Sequence, residues 1–103
     1  MGTIRIRFAT EATELSAAAR ARLDEIAARL KARPGVRVQI VGYASESAEA
    51  TGQARRRSLF RVISVRKYLV ARGVLSTRMD VRALGDKTEV APRDRVDVVI
   101  PPS

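Results

Sequence analysis

The sequence predicts an α/β two-layer sandwich (α+β), a β-α-β-α-β-β chain with two helices on one face of a four-stranded mixed sheet. Three observations predict it. Four short segments alternate apolar and polar residues, the period of a strand with one buried face. Two longer segments repeat apolar residues at three- and four-residue steps, the stripe of an amphipathic helix. Pro34-Gly35, Gly73 and Pro101-Pro102 punctuate them at positions that end helices and ladders.

Taken in order, Thr3 to Phe8 sets Ile4, Ile6 and Phe8 against Arg5 and Arg7 as a first strand. From about Ala12 to Ala32, Leu15, Ala19, Leu23, Ile26, Ala27 and Leu30 form one helical face, stopped by Pro34-Gly35. Val36, Val38 and Ile40 alternate with Arg37 and Gln39 in a second strand that ends at Gly42. Ser45 to Gly52 is small, polar and acidic, the one long loop. A second helix is predicted over about Ala54 to Arg72, with Gly73 as its left-handed cap. Met79, Val81 and Ala83 mark a third strand, and Val96, Val98 and Ile100 a fourth. With both helices on one side, Arg5, Arg7, Arg37, Gln39, Asp80, Arg82 and Asp97 are expected on a wet sheet face, paired across strands.

Composition narrows the function. A chain of 103 residues makes one domain over 1–103, with enough surface to bury a single core. It has neither cysteine nor histidine, which excludes disulfides and leaves only oxygen ligands for any metal. No cofactor is expected. No pair of facing carboxylates and no glycine-rich phosphate loop is present, so catalysis is the least supported class. Twenty Lys and Arg against eleven Asp and Glu give a net charge of +9. This charge fits plain solubility, and it also fits an anionic partner. Only four aromatics and no Trp argue against a base-stacking platform, so nucleic acid is not the favoured partner. No segment is long and apolar enough to span a membrane. Met1-Gly2 leads directly into a strand, and the chain is expected to be a domain excised from a longer protein.

On a helical wheel the buried stripe of the second helix centres on Val62, Val65 and Leu69. Arg61 and Tyr68 lie along one rim, Leu59, Ile63 and Arg66 along the other. A rim arginine beside a strand end can rest its stem on apolar surface and offer a planar guanidinium to a carboxylate. It can equally pair with a local Glu. Arg55-Arg56-Arg57 opposes the dipole at the start of this helix. That run reads either as a solvated basic turn or as an anion-binding lip.

These residues resemble the OmpA-like domain, a bacterial envelope module, across nearly the whole chain. Ile6-Arg7-Phe8 is similar to the family's I-x-F start, and Gly42-Tyr43-Ala44-Ser45 to its G-[HYF]-[TA]-D. Ser58, Arg61, Val65, Tyr68, Leu69, Gly73 and Val74 sit at the steps of L-S-x-x-R-A-x-x-V-x-x-Y-L-x-x-x-G-[VI]. Ser76-Thr77-Arg78-Met79, Ala83-Leu84-Gly85-Asp86 and Arg95-Val96-Asp97-Val98 are similar to its S-x-R-[IM], G-x-G-E and R-R-V-E-[IV] segments.

The resemblance implies a non-catalytic module of the periplasm or cell envelope, related to anchors that grip the diaminopimelate of peptidoglycan. In that family a loop aspartate takes the ligand's ammonium and the helix arginine its carboxylate. Arg61 carries over, whereas Ser45 stands where the aspartate would be. Ala54 and Arg57 replace the usual asparagine and leucine. Glu46 and Glu49 are near enough in sequence to substitute for the missing acid. The implied site is therefore Arg61, Ser45 and Glu46, with Arg61 partly exposed in a cleft at the strand end and Ser45 opposite it. Peptidoglycan binding is expected to be weak or lost, with use as a scaffold or contact for an envelope protein. The alternative is a basic module that binds nucleic acid or anionic lipid through Arg55, Arg56, Arg57 and the sheet arginines.

Overall fold

The computed structural model describes residues 2–46 and 52–102. The elements follow the expected order: β1 (Gly2–Arg7), α1 (Ala17–Lys31), β2 (Val38–Tyr43), α2 (Gln53–Ala71), a single 3-10 turn at Ser76–Arg78, β3 (Met79–Ala83) and β4 (Arg95–Ile100). The sheet order is β1-β4-β2-β3. The last strand inserts between the first two and runs antiparallel to both, while β2 and β3 are parallel. Register places Ile4, Val98, Ile40 and Val81 in one row and Ile6, Val96, Gly42 and Ala83 in the next. These rows line the side on which both helices lie. Ile6, Val96, Val98, Val38 and Ile40 pack there with Leu23, Ile26, Leu30, Val62, Val65 and Leu69 in one core.

α1 begins five residues later than the periodicity suggests. Ser16 caps it, its hydroxyl accepting from the Ala19 amide at 3.0 Å. Residues 9–13 stay outside the helix because their carbonyls are taken elsewhere: Ala9, Thr10, Ala12 and Thr13 all accept hydrogen bonds from side chains of α2. α2 ends as the sequence predicts. Gly73 takes φ +97°, and the Gly73 and Val74 amides bond back to Val70 and Leu69. At the opposite end Glu46 accepts from the Gly52 amide at 2.8 Å.

The second sheet face departs from expectation at its centre. Asp97 is buried, not wet, and so is Arg95 beside it on the same face of β4. The Arg95 guanidinium lies 4.2 Å over the Tyr43 ring and bonds both Asp97 oxygens at 3.0 and 3.1 Å. It also bonds the carbonyls of Val90 and Pro92. The segment before β4 thus folds across the sheet and hides the pair. Arg37–Asp80 does form the expected exposed ion pair, at 2.7 Å.

Gly42 sets the distance between the layers. A Cβ there would lie 2.5 Å from Val62 Cγ1 and 2.6 Å from the Ser58 carbonyl oxygen. α2 therefore rests directly on the backbone of β2, one turn before Arg61. Gly42→Ala is expected to push the helix outward and destabilise the domain by about 1–3 kcal/mol, read as a lowered midpoint in urea unfolding.

Candidate functional site

Arg61 projects from α2 at the level where β2 ends and the residues after β1 cross over the helix. Its position on the wheel suggested a rim. In the structure it is fully buried, the largest fully buried side chain described. The physical reason is a layer that periodicity does not report: residues 9–13 and the residue before β4 close over that side of the helix.

A guanidinium has five N–H donors, and every one of them is used. Nε donates to the Ala12 carbonyl at 2.7 Å. One terminal nitrogen donates to the Tyr43 carbonyl at 3.0 Å and to Asp94 Oδ1 at 2.8 Å. The other donates to the carbonyls of Ala9 at 2.9 Å and Thr10 at 3.0 Å. The plane also lies 5.1 Å from the Phe8 ring centre. Burial pulls the Arg61 pKa below the ordinary arginine value, with Asp94 opposing this and Arg57 adding to it. The group stays charged.

Opposite Arg61 there is a carboxylate after all, supplied by Asp94. Ser45 does not face the arginine directly; it holds Asp94. The Ser45 amide donates to Asp94 Oδ1 at 2.9 Å, and the Ser45 hydroxyl donates to Oδ2 at 2.9 Å. Burial works against the ionised Asp94, but the Ser45 amide, Arg61 and the Ser45 hydroxyl outweigh it and hold the carboxyl below its usual value. The negative charge absent at position 45 is thus present in space, from a residue 49 positions along the chain. Asp94 lies in no periodic element; its one signal in the sequence is an acid standing at the first arginine of the R-R-V-E-[IV] segment.

The remaining candidates separate. Glu46 is exposed and committed to the Gly52 amide, away from Arg61. Glu49 lies outside the described residues. Arg55, Arg56 and Arg57 do not form one lip, because consecutive helical residues point about 100° apart. Arg57 reaches the Ser45 carbonyl at 3.4 Å. Arg56 lies over Phe60 at 5.5 Å. Arg55 and Arg56 border one cleft with Leu59 and Ala83, away from the side on which Arg57 meets Ser45. Ser58, buried beneath them, donates to the Arg55 carbonyl and accepts from the Gly85 amide at 3.0 Å, tying the segment after β3 to α2.

Two outcomes follow for Arg61 and Asp94. Arg61→Lys keeps the charge but offers three donors to five acceptors, so at least two acceptors lose their partner. A loss of about 2–4 kcal/mol in unfolding free energy is expected. The depressed Asp94 pKa makes its contribution fully present above about pH 4, the ordinary aspartate value. That contribution disappears as pH falls through the lower folded-state value. Urea titrations at decreasing pH are expected to show this acid loss in the native chain and a shallower one in Asp94→Asn.

Relatives agree with this architecture. Residues 7–98 match the family model described as the OmpA family. The OmpA-like domain of FopA1 from Francisella tularensis superposes with a TM-score of 0.85 at 18% identity, over 94% of this chain and 70% of that one. The peptidoglycan-associated lipoprotein from Burkholderia pseudomallei gives 0.83 at 22% identity, over 94% and 89%. The C-terminal domain of Helicobacter pylori MotB gives 0.84 at 15% identity, over 97% and 85%. No curated protein matches the sequence. With nearly its whole length matched and the fold shared, the chain belongs to the OmpA family.

Proposed function

We propose that this domain is a non-catalytic module of the periplasm or cell envelope, of the type found in peptidoglycan-associated proteins, whose diaminopimelate pocket is closed from within. The observation that carries the reading is the saturation of Arg61: five donors, five acceptors, one of them the Asp94 carboxylate. A ligand carboxylate can reach the guanidinium only by displacing Asp94, the one side-chain acceptor among them. Displacement breaks a buried charge-assisted contact and the two bonds from Ser45, so much of what the ligand gains is offset. Peptidoglycan is bound weakly or not at all, and the domain serves as a scaffold or contact for an envelope protein.

Asp94 also changes how the site would be repaired. Sequence reasoning points to Ser45→Asp as the missing charge. With Asp94 2.9 Å from the Ser45 hydroxyl, that substitution alone sets two carboxylates side by side, and they repel. The exchange Ser45→Asp with Asp94→Ser moves the acid back to the strand end and clears the Arg61 terminal nitrogen. In calorimetric titration with a diaminopimelate-containing stem peptide, the native chain and Ser45→Asp are expected to give little or no heat. The double exchange is expected to bind more tightly by about 1–3 kcal/mol. Tight binding by the native chain would show that Asp94 already acts as the ligand's acid and that the pocket is open.

A further inference from the structure

We infer a second surface on this domain, independent of the pocket: the outer face of α2 docks on a bilayer that carries anionic headgroups. α2 buries one side under the sheet and shows solvent another that is not polar. Leu59, Phe60, Ile63 and Val70 remain 42%, 43%, 40% and 45% exposed. At about 100° per residue, Leu59, Ile63 and Val70 fall within one narrow arc. Arg55 and Arg66 flank it on one side, Arg56 and Lys67 on the other, with Phe60 just beyond Lys67. α2 contains no Asp or Glu in its 19 residues. Among the described residues no salt bridge involves these four cations.

An apolar centre fringed by cations on both flanks is the pattern of a helix lying in a membrane interface. The apolar side chains enter the headgroup boundary, while the basic side chains rest their stems alongside and reach the phosphates. Charge decides among the occupants. A second copy of the same face would set these cations against their own counterparts, which repel. Duplex nucleic acid would use the charge but leave Leu59, Ile63 and Val70 without a partner. Arg61 faces inward from the other side of the helix, so this contact neither needs nor blocks it.

The chain has no tryptophan, so Ile63→Trp places a single fluorophore on the face. With vesicles of phosphatidylcholine mixed with phosphatidylglycerol, its emission is expected to shift to the blue and to be quenched by brominated acyl chains. Phosphatidylcholine alone should produce neither effect. In co-sedimentation, Leu59→Ser with Ile63→Ser is expected to lower partitioning about tenfold, and Arg66→Gln with Lys67→Gln by about as much. Arg5→Gln with Arg7→Gln, on the far edge strand, should change it less than about twofold. All these side chains are exposed or at the surface, and circular dichroism verifies that each variant folds. Absence of sedimentation with anionic vesicles would overturn the inference and leave an acidic protein as the occupant. Sedimentation indifferent to the serine pair would overturn it too, as adsorption by net charge alone. Duplex DNA binding that falls with the same serine pair would reassign the face to nucleic acid.

Discussion

The Arg61 guanidinium is the contact on which the arrangement of this domain depends. It is a charged group removed from water, a state that costs several kcal/mol unless every donor finds a partner. Here every donor does, and the partners come from three separate stretches: the residues after β1, the end of β2, and the residue that leads into β4. One side chain thus ties the irregular residues after β1 to the paired ends of β2 and β4. The late start of α1 follows from the same contact, because the carbonyls that Arg61 and Ser64 take are unavailable to a longer helix. Gly42 makes the contact possible by letting α2 settle on the strand beside it.

This arrangement also underlies the proposed closure of the pocket around an arginine that is kept. A guanidinium in a ligand pocket needs spare donors facing solvent. At Arg61 no donor is spare, and one of the five acceptors is Asp94, which Ser45 anchors with its amide and hydroxyl. Ser45 therefore has a positive role and is not merely the loss of an acid. Arg95 repeats the theme on the opposite face of the sheet, where Asp97 and the carbonyls of the same pre-β4 segment satisfy a second buried arginine. The residues between β3 and β4 thus meet a buried arginine on each face of the sheet.

The regular elements were legible in the sequence because their signal is local. Alternation marked the four strands, the three-and-four spacing marked both helices, and Gly73 marked the end of α2 down to its left-handed backbone. What could not be read is what depends on contacts across distance. The wheel puts Arg61 on a rim because it measures only position relative to the sheet; the covering layer comes from residues 33 to 52 positions away. Asp94 lies in an irregular segment, where neither period nor motif assigns a direction. Asp97 occupies an alternate position that reads as solvent-facing, and its pairing with Arg95 under the preceding loop buries it. Glu46, adjacent in sequence to the missing acid, turned instead to the start of α2.

The proposed closure of Arg61 to ligand is tested most directly by hydrogen exchange at its own Nε–H. In a nitrogen–proton NMR spectrum the Arg61 Nε–H, bonded to the Ala12 carbonyl at 2.7 Å, should be resolved and exchange only as slowly as the most protected core amides. Stem peptide at a concentration that saturates the double exchange Ser45→Asp with Asp94→Ser should leave its shift unchanged. An Nε–H that exchanges as fast as those of exposed arginines such as Arg37, or that shifts on adding stem peptide, would contradict the closed pocket.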